Sequence, residues 1–148
     1  VREYYEARAG EYDDWWLGTG LFDQRERPLV RGVLGVAGVL ASLPAARTLA
    51  LQGSTLYYTD SVGGTVSRVP ADGSASPNQI ASATSPRGLV ADSSNVYWID
   101  GSGATIMRVA LSASQATTLA TGQSATAIAQ DGASIYWTNA NAIMRMPK

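Results

Sequence analysis

The stretches Tyr57-Tyr58-Thr59-Asp60, Tyr97-Trp98-Ile99-Asp100 and Tyr136-Trp137-Thr138-Asn139 are one motif written three times, at spacings of 40 and 39 residues. A fixed period in this range marks a repeat architecture, in which one supersecondary unit recurs and buries its face on its neighbour. Outward from the motif the copies stay in register. Residues 49–56 (Leu49 to Leu56) lie over 89–96 (Leu89 to Val96) and over 128–135 (Ile128 to Ile135) without a gap. Each copy reads as a short apolar strand, a polar four-residue turn and a second strand carrying the aromatic pair. A Gly/Ser turn (Gly63-Gly64, then Gly101–Gly103) leads to a third strand at Thr65–Val69, Thr105–Leu111 and Ala142–Met146. Arg68, Arg108 and Arg145 hold the same place in it. A fourth, weaker strand is predicted at Gln79–Ala81 and Thr117–Ala120. Four short strands in each repeat, separated by turn residues, make a β-meander blade.

In the second copy Val96 and Trp98 face one side of the strand, and Tyr97 and Ile99 face the other. Both faces are apolar. A sheet with one wet face alternates polar and apolar residues, so this sheet needs cover on both sides, as blades stacked face to face provide.

The run Tyr-Trp-Thr-Asp, followed by Gly, Thr/Ile, Met and Arg-Val-Pro, resembles the blades of YWTD- and NHL-type β-propellers, and the resemblance covers residues 49–148. It implies a structural role between blades for Tyr57, Tyr58, Tyr97, Trp98, Tyr136 and Trp137. Arg68, Arg108 and Arg145 are expected to pair within each blade with Asp60, Asp100 and the Asn139 amide. Tyr58 departs from the pattern by replacing Trp, and Asn139 by replacing Asp. The third copy also brings its Arg nine residues after the Tyr instead of eleven. The turns after Asp60 and Asp100 lack the spaced ligands of a calcium loop, so no metal site is expected there.

Composition narrows the chemistry. The 148 residues carry a formal net charge of −1, with no basic excess to attract nucleic acid. His and Cys are absent, which excludes Ser-His-Asp and Cys-His nucleophilic systems, Cys/His zinc sites and disulfides. The apolar stretch Gly32–Leu43 falls short of the roughly 20 residues a spanning helix needs, so no membrane partner is expected. Charge density changes along the chain: 13 of the 23 charged residues lie in residues 1–48. That shift places a boundary between residues 48 and 49.

Residues 1–48 read as helical. Tyr5, Ala9 and Tyr12 follow near-helical spacing, and a second helix runs from near Pro28 to Pro44 on a stripe of Leu29, Val33, Val36 and Leu40. The pattern Tyr4-Tyr5, Arg8-Ala9, Glu11-Tyr12-Asp13 and Trp15-Trp16, then an apolar helix ending at Leu43-Pro44, resembles the start of class I S-adenosylmethionine-dependent methyltransferases. That resemblance would place Tyr5, Tyr12 and Trp15 toward a cofactor pocket. The Gly-rich loop such enzymes need is missing, since Ala50-Leu51-Gln52-Gly53 follows instead.

The expected fold is α+β by segregation: two N-terminal helices (1–48), then a nine- or ten-stranded antiparallel meander (49–148) forming about 2.5 blades at 49–88, 89–127 and 128–148. Propellers close with about 4–8 blades, so incomplete blades lead us to expect self-association, a longer parent chain, or cover from the N-terminal half. The expected function is a non-catalytic repeat module binding a protein or small ligand, with no catalytic residue, cofactor or metal assigned. The alternative is a methyltransferase relative that has lost its cofactor loop. A chain beginning at Val1 fits a processed product, a fragment or an open reading frame with a non-standard start, and the two resemblances together read as a chimera, a methyltransferase-like leader fused near residues 48–50 to a propeller fragment. The propeller resemblance implies an extracytoplasmic location, but no signal segment precedes the repeats, so location stays open.

Overall fold

The computed structural model describes residues 40, 45–101, 104–113 and 115–148, and eleven β-strands make up its regular structure. They form three separate antiparallel meanders. The first contains β1 (Ala46–Gln52), β2 (Thr55–Asp60), β3 (Thr65–Pro70) and β4 (Asn78–Ser82). The second contains β5 (Arg87–Ala91), β6 (Asn95–Asp100), β7 (Thr105–Ala110) and β8 (Ala116–Thr121). The third has only β9 (Ile128–Gln130), β10 (Ser134–Asn139) and β11 (Ala142–Pro147). Each sheet is one copy of the repeat, and sequential strands are neighbours throughout.

The expected α+β class does not hold. No α-helix occurs among the described residues, and the described fold is all-β. The two helices expected over 1–48 fall on residues 1–39 and 41–44, outside the described residues. The described end of that segment is strand, because β1 already starts at Ala46, paired with Asp60. Two side-chain bonds hold this entry: the Thr48 and Thr59 hydroxyls lie 2.8 Å apart, and Arg47 Nε donates to Ser61 Oγ at 2.8 Å. Composition missed them because Ala, Arg and Thr there continue the charged texture of the preceding residues, while cross-strand partners decide strand membership.

Register explains the shared faces. In the middle sheet Tyr97 stands opposite Arg108, Trp98 opposite Met107 and Ile99 opposite Ile106. Tyr97, Ile99 and Ile106 therefore share one face, and Val96, Trp98 and Val109 the other. Both faces are packed. The Trp98 face meets Tyr57, Val66 and Ala81 of the first sheet in one core. The Tyr97 face meets Ile135 and Trp137 of the third sheet, with Ala125 of the loop before β9, in a second core. Tyr97 and Trp98 are both fully buried, and burial of such a ring stabilises by roughly 3 kcal/mol. The rule is the same at both junctions: the Tyr side of one sheet covers the Trp side of the next.

Irregularities repeat as well. Register shifts occur between Val66 and Ser67 and between Ile106 and Met107, at equivalent positions of two repeats. Such bulges increase local twist, which stacked blades require. Gly64 adopts φ +63°, and a Cβ there would sit 2.8 Å from the Ala83 carbonyl oxygen. The same approach permits the Ala83 N–H to bond Gly64 O at 2.8 Å.

Candidate functional site

The conserved place of Asp60, Asp100 and Asn139 at the end of the aromatic strand gives three related but unequal jobs. Asp60 Oδ1 accepts N–H bonds from Val62 and Gly63 at 3.0 and 2.8 Å, closing its own hairpin. The Asp100 carboxylate reaches instead to the loop entering its sheet, accepting from Thr84 N at 3.0 Å and Ser85 N at 2.8 Å. Asn139 does the same in the third copy, its Oδ1 accepting from Ser124 N at 2.8 Å. None of these is the arginine contact expected from sequence. Asp100 lies three residues beyond Tyr97 on an extended strand and faces away from Arg108, which stands opposite Tyr97. Arg145 Nε donates to Ser134 Oγ at 3.0 Å, Arg68 is exposed, and Arg108 Nε is buried without a partner among the described residues.

The aromatic pairs are placed in the sheets as blade elements. Tyr57, Tyr58, Tyr97, Trp98 and Trp137 are buried, and Tyr136 is half-buried. Trp137 Nε1 donates to Gln123 Oε1 at 2.8 Å, and the same oxygen accepts from Asn139 Nδ2 at 3.0 Å. Trp98 Nε1 has no such partner among the described residues. Tyr5, Tyr12 and Trp15 lie outside the described residues.

A polar concavity of about 500 Å3 opens where the first hairpin turns of the three sheets converge. Gln52 borders it from the first sheet, Asp92 and Asn95 from the second, and Gln130 and Asp131 from the third, with Lys148 beside them. The second and third turns share one construction. Asp92 Oδ1 accepts from Ser94 N and Asn95 N at 2.9 and 2.8 Å, and Asp131 Oδ1 from Ala133 N and Ser134 N at 2.8 and 2.7 Å. The Ala133 N–H, the Tyr136 hydroxyl and the Ser134 N–H hold the Asp131 carboxyl down at about 2. Burial pushes Asp92 up, but Lys148 and the N–H groups of Ser94 and Asn95 outweigh it, so its carboxyl also sits below the usual range. Lys148 Nζ is 2.8 Å from Asp92 Oδ2 and 5.8 Å from the centre of the Tyr97 ring. Gln130 donates its Nε2 to Ala91 O, which leaves its Oε1 buried and unpartnered among the described residues. Burial and the Asp92 charge raise the Tyr97 hydroxyl, whose oxygen is likewise unpartnered there.

Sequence reading passed over Asp92, Asp131 and Gln130. The signal was present, since Asp92 and Asp131 share a column of the ungapped repeat, where Gln52 stands in the first copy. Among the described residues no group of three or more acidic, His or Cys side chains is placed to hold a metal ion, and no helix is long and apolar enough to cross a membrane.

No family model matches the chain, and no curated protein matches it. Solved structures do. A nidogen/laminin complex matches with TM-score 0.50 and 18% identity, over 72% of this chain and 60% of that one. Selenomethionine-substituted virginiamycin B lyase from Staphylococcus aureus matches with TM-score 0.51 and 16% identity, over 72% of this chain and 44% of that one. A catalytically inactive H270A form of that lyase, with quinupristin, matches with TM-score 0.53 and 20% identity, over 70% of this chain and 40% of that one. These neighbours are β-propeller proteins. The described sheets have a partial β-propeller fold. The chain spans 40 to 60% of the length of these neighbours.

Identity this low carries the fold and no activity. The methyltransferase resemblance of residues 1–48 finds no counterpart among these neighbours. Where a cofactor loop would follow the first strand, Gly53 at φ +58° and Ser54 turn the chain straight back into β2, with Gln52 opposite Thr55. An antiparallel hairpin has no helix N-terminus beneath it to receive a cofactor.

Proposed function

We propose that this propeller-type module is non-catalytic and binds a small polar ligand in the concavity formed by the three hairpin turns. The observation that carries this reading is the polar lining of that concavity, where Asp92 and Asp131 cap two converging turns beside Gln52, Gln130 and Lys148. Carboxylate oxygens are acceptors, so a ligand that brings donors is favoured. The two carboxylates differ in their balance: Asp92 is paired with Lys148, while Asp131 is held by N–H and O–H donors with a weaker contribution from the Arg145 charge. A ligand rich in hydroxyl or amide donors suits this lining, and a volume near 500 Å3 lies within the usual range for small-molecule sites, about 300–1,000 Å3.

The test is ligand-observed NMR on the full chain with a panel of neutral sugars and simple amides. Saturation transfer that disappears in Ser93→Trp, whose indole fills the concavity from an exposed turn position, supports the reading. Binding that survives this substitution, or no binding across the panel, overturns it.

The competing methyltransferase reading rests on residues 1–48. Its test is the melting temperature with S-adenosylmethionine at a saturating concentration, where any useful affinity raises the melting point.

A further inference from the structure

The second and third hairpin turns share one construction but differ in a single partner. Asp92 and Tyr97 stand five residues apart, as Asp131 and Tyr136 do, in matching columns of the repeat. In the third sheet the Tyr136 hydroxyl donates to Asp131 Oδ2 at 2.8 Å. In the second sheet the equivalent oxygen, Asp92 Oδ2, meets Lys148 Nζ at 2.8 Å instead. The Tyr97 hydroxyl, on a fully buried side chain, has no partner among the described residues. Lys148 Nζ also lies 5.8 Å from the centre of the Tyr97 ring. The lysine is positioned from the end of the third sheet. Its backbone N–H donates to Ala133 O at 3.1 Å, and its side chain, 16% exposed, crosses to the second sheet.

We propose that Asp92 Oδ2 and the Tyr97 ring form a primary-ammonium subsite of the concavity, which the chain's own Lys148 occupies. A carboxylate oxygen within charge-assisted reach and an aromatic ring within about 6 Å are the two contacts that select an ammonium group. Lys148 makes both. Held on the chain, it competes at an effective concentration on the order of millimolar, so a free amine meets an occupied subsite. Lys148 is thus a specificity-determining residue. With it in place the Asp92 half refuses amines, and the donors of a neutral ligand are left the Asp131 half, where a hydroxyl already serves the carboxylate. Without it the Asp92 carboxylate borders the concavity unbalanced. This inference rests on the reading of the concavity as a ligand site and adds which ligands it turns away.

The test is titration of the full chain with n-propylammonium, followed at the amide resonances of Ser94 and Asn95, whose N–H groups bond the Asp92 carboxylate. Lys148→Ala removes the atoms that n-propylammonium replaces. It is expected to bind the probe saturably, about tenfold or more tighter than the wild type, the scale of one charge-assisted hydrogen bond. Lys148→Arg keeps a cation and is expected to refuse the probe as the wild type does. Adding Asp92→Asn to Lys148→Ala is expected to abolish the gain, and neutral n-propanol to show none. Equal affinity in the wild type and Lys148→Ala, or no binding in Lys148→Ala, overturns the proposal. So does a gain that survives Asp92→Asn or is matched by n-propanol. If Lys148→Ala loses its near-ultraviolet circular dichroism, Lys148→Met keeps the stem and takes ammonium itself as the probe, with the same expectations. The two readings fail separately: an unbound panel of sugars and amides overturns the ligand reading, and an absent ammonium gain overturns the subsite.

Discussion

Tyr136 donates its hydroxyl to Asp131 Oδ2 at 2.8 Å, tying the third aromatic strand to the turn that begins it. With the Ala133 and Ser134 N–H groups on the other oxygen, the carboxylate is stabilised in its charged form and held at about 2, against an ordinary 3.8. A depressed carboxyl binds fewer protons in the folded than in the unfolded chain. Its contribution is therefore complete above pH 3.8 and lost as pH falls toward about 2. Asp131→Asn is expected to flatten this acid limb of the melting-temperature profile. Asp92 is lowered too, so the double variant with Asp92→Asn flattens it further.

Asp100 is 8% exposed and serves the Thr84 and Ser85 N–H groups of the loop joining the first two sheets. Asp100→Ala leaves those donors without their acceptor and is expected to destabilise by about 1–3 kcal/mol in urea unfolding. Asp100→Asn should cost less, because Asn139 performs the same task with one amide oxygen.

Among the described residues the buried Trp98 indole N–H lacks the partner that Gln123 gives Trp137. Thr84 occupies the place of Gln123 in the second copy. Thr84→Gln is expected to supply the acceptor and raise stability by about 1 kcal/mol. The indole N–H resonance of Trp98 should move downfield and exchange more slowly. A variant with unchanged exchange would count against this account.

Ala140 holds φ 45°, in the left-handed region, within the two-residue turn between Asn139 and Ala142. A side chain there costs roughly 1–2 kcal/mol, so Ala140→Gly is expected to stabilise by about 1 kcal/mol. Gly64→Ala is the converse: its Cβ meets backbone, the Ala83 carbonyl, which cannot rotate away. It should lower the denaturation midpoint by a similar or larger amount.

Much of this architecture was legible in the residues. The interval from Tyr57 to Tyr97 to Tyr136, with apolar residues on both faces of each strand, dictates meander sheets that stack, because period two and two-sided hydrophobicity allow little else. The sharing of labour among Asp60, Asp100 and Asn139 was not legible. Their side chains seek the backbone N–H groups of loops whose position depends on how neighbouring sheets pack, and a shared column cannot say which loop that is. The expected arginine partners failed for a local reason, three residues along a strand being the opposite face. Helical spacing in residues 1–48 carried no information about β1, whose entry at Ala46 is decided by Asp60 fourteen residues away. By itself, then, the sequence determined the repeat, the strands and which residues face one another. Only the tertiary structure decided which faces are covered and which polar atoms stay bare, because burial is a property of neighbours brought together by packing.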